Sequence, residues 1–331
     1  MRVTPQQLIA EQVQPDTFLA GFDLRLRQTF YPLGFPLLLE TNSPEVLAAA
    51  EEGWREFHQT FDAPPMRLCL GMLDTDEPVL TLTSVFSARE HLASLFADAG
   101  NFIVCDFRDN FTFGWVTRGL AKDHSLLRYR FLIPAAHMMA EQSALAPLHA
   151  AMIVKDGTGV MLCGDSMAGK STLAYACARE GWSYVTDDGT FLVRGESNRH
   201  AIGDFTSLRL REDAVQLFPE LGNRLAVVRP NGKIALEIAT RELPIRRLAG
   251  HSVDHVVYLD RQDCDGAMLE TYSRERAIDE WKAYAVFGAN AVRSAQMQCH
   301  RRLLSAGLWS MKYSRLEDAI ARLERLVSTG C

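Results

Sequence analysis

Gly164-Asp165-Ser166-Met167-Ala168-Gly169-Lys170-Ser171-Thr172 fits the pattern G-x-x-x-x-G-K-[ST] of a phosphate-binding loop. The run Gly159-Val160-Met161-Leu162-Cys163 before it reads as a strand, and Ser171 to Glu180 after it reads as a helix. This strand–loop–helix context is what the motif needs to bind a nucleotide. Backbone N–H groups and the helix N-terminus would face the phosphates. Lys170 would neutralise β/γ oxygens, and the Ser171 hydroxyl would hold Mg²⁺. ATP and Mg are the cofactors this implies.

Upstream, His149–Lys155 and Thr158–Cys163 are β-type runs joined by Asp156-Gly157. Asp-Gly between such runs signals a hairpin with a two-residue turn. Lys155 then faces Thr158, and counting back puts His149 opposite Gly164, beside the loop. An imidazole there could bind a phosphate or shuttle charge. Downstream, Gly181 stops the helix, and the strand Trp182–Thr186 ends in Asp187-Asp188. In a βαβ unit both strands are parallel, so this pair reaches the same edge as the loop. One carboxylate could hold Mg²⁺ and the other accept a proton from an incoming hydroxyl. Arg209, Arg211, Arg229 and Lys233 are further candidate phosphate or acceptor contacts.

The first half carries no catalytic pattern. Thr4-Pro5 opens a short helix to about Val13, and Phe35–Glu40 reads as a strand. Ser43 caps a helix to about Phe57, with Val46, Leu47, Ala50, Trp54 and Phe57 on one face. Strands follow at Met66–Leu73, Val79–Ser87, Phe102–Phe107 and Phe111–Thr117, then a helix from about Leu126 to Ala144. His91, His124 and His137 are scattered rather than spaced as metal ligands. After the Asp pair the expectation is strands at Thr190–Arg194, Ser207–Leu210, Gly232–Ile238, His255–Leu259, Ala267–Tyr272 and Trp309–Tyr313. Helices are expected near Arg211–Phe218, Arg274–Val286 and Asn290–Ala306, with a last one from Ser314 to about Val327.

Bulk composition agrees with an ordinary globular protein: 331 residues, 47% hydrophobic and 23% charged. A net charge of −6 argues against a nucleic-acid partner. The seven cysteines form no C-x-x-C pair, which suits a reducing compartment. With no signal-peptide pattern and no run long enough to span a membrane, a cytoplasmic protein without a membrane partner is expected.

The ordered set of Leu148-His149-Ala150-Ala151, the loop Gly164–Thr172, and Gly181-Trp182-Ser183-Tyr184-Val185-Thr186-Asp187-Asp188 resembles the kinase domain of the HPr kinase/phosphorylase family. Relatives in that family include kinases encoded with lasso-peptide precursors. Gly203…Leu208-Arg209-Leu210-Arg211 and Val256-Val257-Tyr258-Leu259 fit the looser relatives, so the resemblance covers about residues 145–262. It implies an α/β fold: a P-loop kinase on a mixed sheet with flanking helices, akin to phosphoenolpyruvate carboxykinase. That domain would take residues 136–331, and an N-terminal α+β domain residues 1–135. It also implies that Asp187 is the base deprotonating a serine-type hydroxyl, that His149 lies in the active site, and that Ser171 and a nearby acid, Asp188, serve the metal. The family is often oligomeric, and no heptad pattern here decides that point.

This chain departs from the family in having Met167 where a glycine is usual. A positive φ there would be costly for methionine and would weaken nucleotide binding. The glycine-and-arginine signature of the bifunctional enzymes is absent, so a hydroxyl other than that of HPr is expected as acceptor, on a peptide, a protein or a small molecule. The alternatives are a nucleotide-binding scaffold without turnover and a partner-coupled ATPase.

Overall fold

A computed structural model describes residues 23–77, 79, 85–195, 199–222, 224–228, 234–285 and 287–329. The helix expected at Thr4 to Val13, and the candidate contacts Arg229 and Lys233, lie outside the described residues. The fold is mixed α/β, in two compact units whose boundary falls between Met139 and Ala140.

The first unit is built on a seven-stranded sheet. Its strands are β1 Leu26–Phe30, β2 Leu37–Thr41, β3 Met66–Leu73, β4 Val85–Arg89, β5 Leu92–Asp98, β6 Asn101–Asp106 and β7 Phe111–Thr117, in the order β1-β2-β3-β7-β6-β5-β4. The helix Pro44–Trp54 links β2 to β3, and its first turn is fixed by Ser43 Oγ, which accepts from Val46 N–H at 3.3 Å. It buries Val46, Ala49, Ala50 and Trp54, as the apolar spacing demands. The helix expected from about Leu126 to Ala144 forms as one unbroken run, His124–Leu127, Arg128–Leu132 and Ile133–Ser143, whose middle segment is a wider π turn.

In the second unit, β8 (Leu145–His149), β9 (Ala151–Lys155), β10 (Thr158–Cys163), β11 (Ser183–Thr186) and β12 (Gly189–Val193) carry the site. Then come β13 His200–Gly203, β14 Ser207–Leu210, β15 Val227–Val228, β16 Ile234–Ala239, β17 Arg246–Arg247 and β18 Gly250–Ser252. The last three are β19 His255–Arg261, β20 Ala267–Thr271 and β21 Gly307–Tyr313. The main sheet is mixed, in the order β17-β11-β9-β10-β19-β21-β20, and smaller sheets run β18-β13-β12-β8 and β14-β16-β15.

The Asp156-Gly157 hairpin forms in the expected register, with Lys155 facing Thr158 and Ala151 facing Leu162. Both turn residues take positive φ, 49° and 78°, as a two-residue turn of this type requires. β9 lies antiparallel to both β10 and β11, so β10 and β11 are parallel and end at one edge. One face of the main sheet packs Leu162 and Val257 against Leu173 and Cys177 of the loop helix and Leu323 and Leu326 of the C-terminal helix Leu316–Thr329. The other packs Met161 and Val256 against Trp281 and Cys299 of the helices Arg274–Trp281 and Asn290–Arg302.

Two expectations need correction. The run His149–Lys155 is not one strand: it breaks at Ala150, and β8 joins the second sheet, where His149 faces Gly189 rather than Gly164. Pro147 supplies the reason. It has no N–H to give, so its segment suits the outer strand β8 and not the central β9, which is paired on both sides. Thr190 Oγ1 donates to Ala150 O at 2.8 Å across the break. The helix expected over Arg211–Phe218 is only a 3₁₀ turn, Glu212–Gln216, with Pro219 close behind.

Candidate functional site

The loop follows β10 directly and ends in the helix Lys170–Arg179. Lys170 is buried, and its Nζ donates to Gly164 O at 2.8 Å and Asp165 O at 3.1 Å. The ammonium therefore lies across the mouth of the loop, and burial lowers its pKa. Gly169 begins the helix at φ 95°, and a Cβ there would stand 2.3 Å from the Tyr313 hydroxyl. That hydroxyl donates to Ala168 O at 2.9 Å and so braces the loop from β21.

Met167 has φ 72°, the left-handed conformation that a methionine adopts at a cost of about 1 kcal/mol. The residue is 74% exposed, and Arg211 Nη1 stands 3.0 Å from its sulfur. The position does demand the conformation that glycine would adopt freely. The flanking residues Asp165, Ser166 and Thr172 complete the loop and the first turn of its helix.

The acid pair sits at the end of β11. Alternation along a strand would place Tyr184 and Asp187 on opposite faces. A bulge between Tyr184 and Thr186 changes this, so Tyr184 Oη donates to Asp187 Oδ1 at 3.0 Å. Arg209 N–H donates to Asp187 Oδ2 at 3.1 Å. Asp187 is 2% exposed, and its pKa is pushed up to about 6, first by burial and then by the charge of Asp188, against the pull of Arg209. Ser171 Oγ donates to the Asp187 carbonyl at 3.3 Å, which ties the loop helix to the acid pair.

Asp188 faces outward, with its side chain 46% exposed and its Oδ1 2.8 Å from His149 Nδ1. The pairing of Gly189 with His149 sets that contact. The Arg209 guanidinium lies between Asp188, Asp204 and Glu237 at 3.7–4.0 Å. Burial would lower its pKa, but the charge of Asp187 first, then those of Asp204, Asp188 and Glu237, raise it. Arg209 therefore acts as the counter-charge of the acid cluster.

The structure thus brings Lys170, Ser171, Asp187, Asp188 and His149 to one edge of the second unit. Tyr184, Asp204 and Tyr313 complete the site and carry no sequence signal. Tyr184 depends on the bulge, and Tyr313 on the distant pairing of β19 with β21. The residues fit the groups the sequence implies. At Gly169, φ 95° and the Tyr313 hydroxyl leave no room for a side chain, so glycine lets the loop turn directly into a helix whose N-terminus suits phosphates. Ser171 and Asp188 offer the oxygen donors Mg²⁺ prefers. Among the described residues no three His, Cys, Asp or Glu side chains cluster as a metal site, and Mg²⁺ at such a loop takes much of its shell from the substrate phosphates.

No protein-family model matches this chain, and no curated protein does. Among solved structures it is similar to the HPr(Ser) kinase/phosphatase from Coxiella burnetii, with 14% identity over 55% of this chain and 97% of that one, at a TM-score of 0.28. No helix among the described residues is long and apolar enough to cross a membrane.

Proposed function

We propose that this chain is a Mg-dependent phosphotransferase that moves the γ-phosphate of ATP to a hydroxyl. The observation that supports it is the shared edge: a buried lysine across a phosphate loop, tied through Ser171 to a carboxylate of raised pKa. Lys170 and the loop N–H groups hold the phosphates, and Ser171 and Asp188 hold the metal, whose charge offsets that of the phosphates. Asp187 takes the proton of the acceptor hydroxyl. Its pKa of about 6 makes it a stronger base than an ordinary carboxylate, and each oxygen keeps a lone pair after its one hydrogen bond.

Access favours a second reading. Asp188 is open where Asp187 is closed, and His149 is bonded to it. There the His149–Asp188 pair takes the proton, and Asp187 fixes the segment through Tyr184 and Arg209. The two part on single substitutions at saturating Mg-ATP. Asp187→Asn abolishes transfer with nucleotide binding intact if Asp187 is the base. A larger loss of kcat in His149→Ala than in Asp187→Asn selects the pair. Transfer of labelled γ-phosphate that survives both Lys170→Ala and Asp187→Asn would sink the proposal itself.

A further inference from the structure

Next to the loop is a cleft of about 490 Å³, in the size range of small-molecule sites. Gly164, Asp165 and His149 line it, so it adjoins the loop and, through His149, Asp188. Its other wall is aromatic. Tyr258 and Tyr272 stack at 3.8 Å and 10°, and the Arg276 guanidinium covers the Tyr272 ring at 5.3 Å. Glu280 accepts from Tyr272 Oη at 2.6 Å and from Arg276 Nε at 3.2 Å, which locks the wall in place.

Two buried polar atoms among the lining residues have no protein partner: the hydroxyl of Tyr258, which is 7% exposed, and the indole N–H of Trp281, which is 1% exposed. A buried polar group left unpaired costs about 1–3 kcal/mol, so such groups are retained where something else satisfies them. Both are donors closed off from the cleft in this conformation, so a bound oxygen would meet them only as the wall shifts to admit it.

We propose that this cleft binds the phosphate acceptor, and that the acceptor is a small, uncharged, hydroxyl-bearing ring compound rather than a serine of a folded protein. This rests on the phosphotransferase reading. The cleft meets the loop at Gly164 and Asp165, whose carbonyls hold Lys170, the group that reaches the β/γ-phosphates. No residue of the helix Lys170–Arg179 lines it. It therefore opens toward the γ end of a nucleotide. With one face of Tyr272 on Tyr258 and Arg276 over that ring, the aromatic residues make a rigid, largely apolar wall against which a ring can pack. The rim carries Asp165, Asp260 and Glu280 against one arginine that Glu280 already pairs, so it disfavours an anionic acceptor. In the reaction the acceptor O–H gives its proton to the carboxylate base. Its oxygen forms a bond to the γ-phosphorus as the bond from that phosphorus to the β–γ bridging oxygen breaks, and ADP leaves with the electron pair.

The test uses the full chain, γ-labelled ATP and an extract of the source cell split into small-molecule and protein fractions. Label is expected in the small-molecule fraction, on a neutral hydroxylated product. Tyr258→Phe, which removes only the unpaired hydroxyl, and Ala283→Phe, which adds bulk at the exposed mouth, are each expected to raise the acceptor KM about tenfold. ATP affinity should be unchanged, and thermal stability should not fall, Tyr258→Phe gaining by the loss of its unpaired hydroxyl. A merely structural Tyr258 would leave the KM alone. Label confined to the protein fraction and insensitive to both variants overturns the inference. So does loss of ATP binding in Ala283→Phe, which would make the cleft the nucleoside pocket. Tight ATP binding with no label in either fraction overturns the phosphotransferase reading, and this inference with it.

Discussion

Among the described residues Glu40 of the first unit and Asp187 of the second are buried carboxylates at the ends of strands, and the two are treated in opposite ways. In the first unit Glu40 is 4% exposed on β2. Arg27 reaches it at 2.9 Å and Arg67 at 2.7 Å, and Cys69 Sγ lies 3.4 Å away. Burial alone would raise its pKa, but the Arg67 and Cys69 hydrogen bonds and both guanidinium charges carry it below the ordinary value. In the second unit Asp187 has a tyrosine hydroxyl and one backbone N–H, while a second carboxylate stands next in sequence. There burial wins and the pKa rises to about 6. Glu40 is neutralised where it stands. Asp187 is held at a cost in stability, and such costs collect at sites of chemistry.

The largest expected effect is on transfer. Asp187→Asn should lower kcat by roughly 10²–10⁴-fold, the usual worth of a positioned base, while Glu40→Gln leaves kcat within a factor of two in the same assay. Equal losses in both would dissolve the contrast. Next is stability at neutral pH. Glu40→Gln leaves two arginines without their carboxylate and should cost on the order of 2–3 kcal/mol by urea denaturation.

The pH dependence of stability sharpens the contrast because the signs differ. The lowered pKa of Glu40 contributes stability that is present above the ordinary carboxylate range and is lost as pH falls through it. The raised pKa of Asp187 works the other way. Without ligand, the protein should lose on the order of 2 kcal/mol as pH rises from about 4 through about 6. Asp187→Asn should flatten that slope, and Glu40→Gln should not. The smallest effect is at the loop tip. Met167→Gly relieves the left-handed φ and should tighten Mg-ATP binding about fivefold by calorimetry. Unchanged or weaker binding would mean that the contact of Met167 with Arg211 matters more than the strain.

Local chemistry was legible in the sequence. Asp156-Gly157 specified a turn and through it the register of β9 and β10, and Ser43 specified a helix start. The loop and the acid pair reach one edge because the strand before the loop and the strand before the pair are parallel, although β9 lies between them. What could not be read depends on pairing between distant segments. β8 leaves the hairpin at Ala150 to pair with β12, so His149 meets Asp188 through Gly189 and not through the hairpin. One extra residue in β11 turns Tyr184 toward Asp187. The cleft wall needs Tyr258 on β19 and Tyr272 just past β20 to meet, and no spacing in the chain announces that.

The most direct measurement is transfer of labelled γ-phosphate at matched nucleotide occupancy, comparing the unaltered chain with Asp187→Asn. Label on a hydroxyl with the unaltered chain, and at least a hundredfold less with Asp187→Asn at equal bound ATP, is the predicted result. Equal transfer by both would contradict Asp187 as the base and leave that task to the His149–Asp188 pair, and bound ATP that is never transferred would contradict the assignment of this edge as a phosphotransfer site.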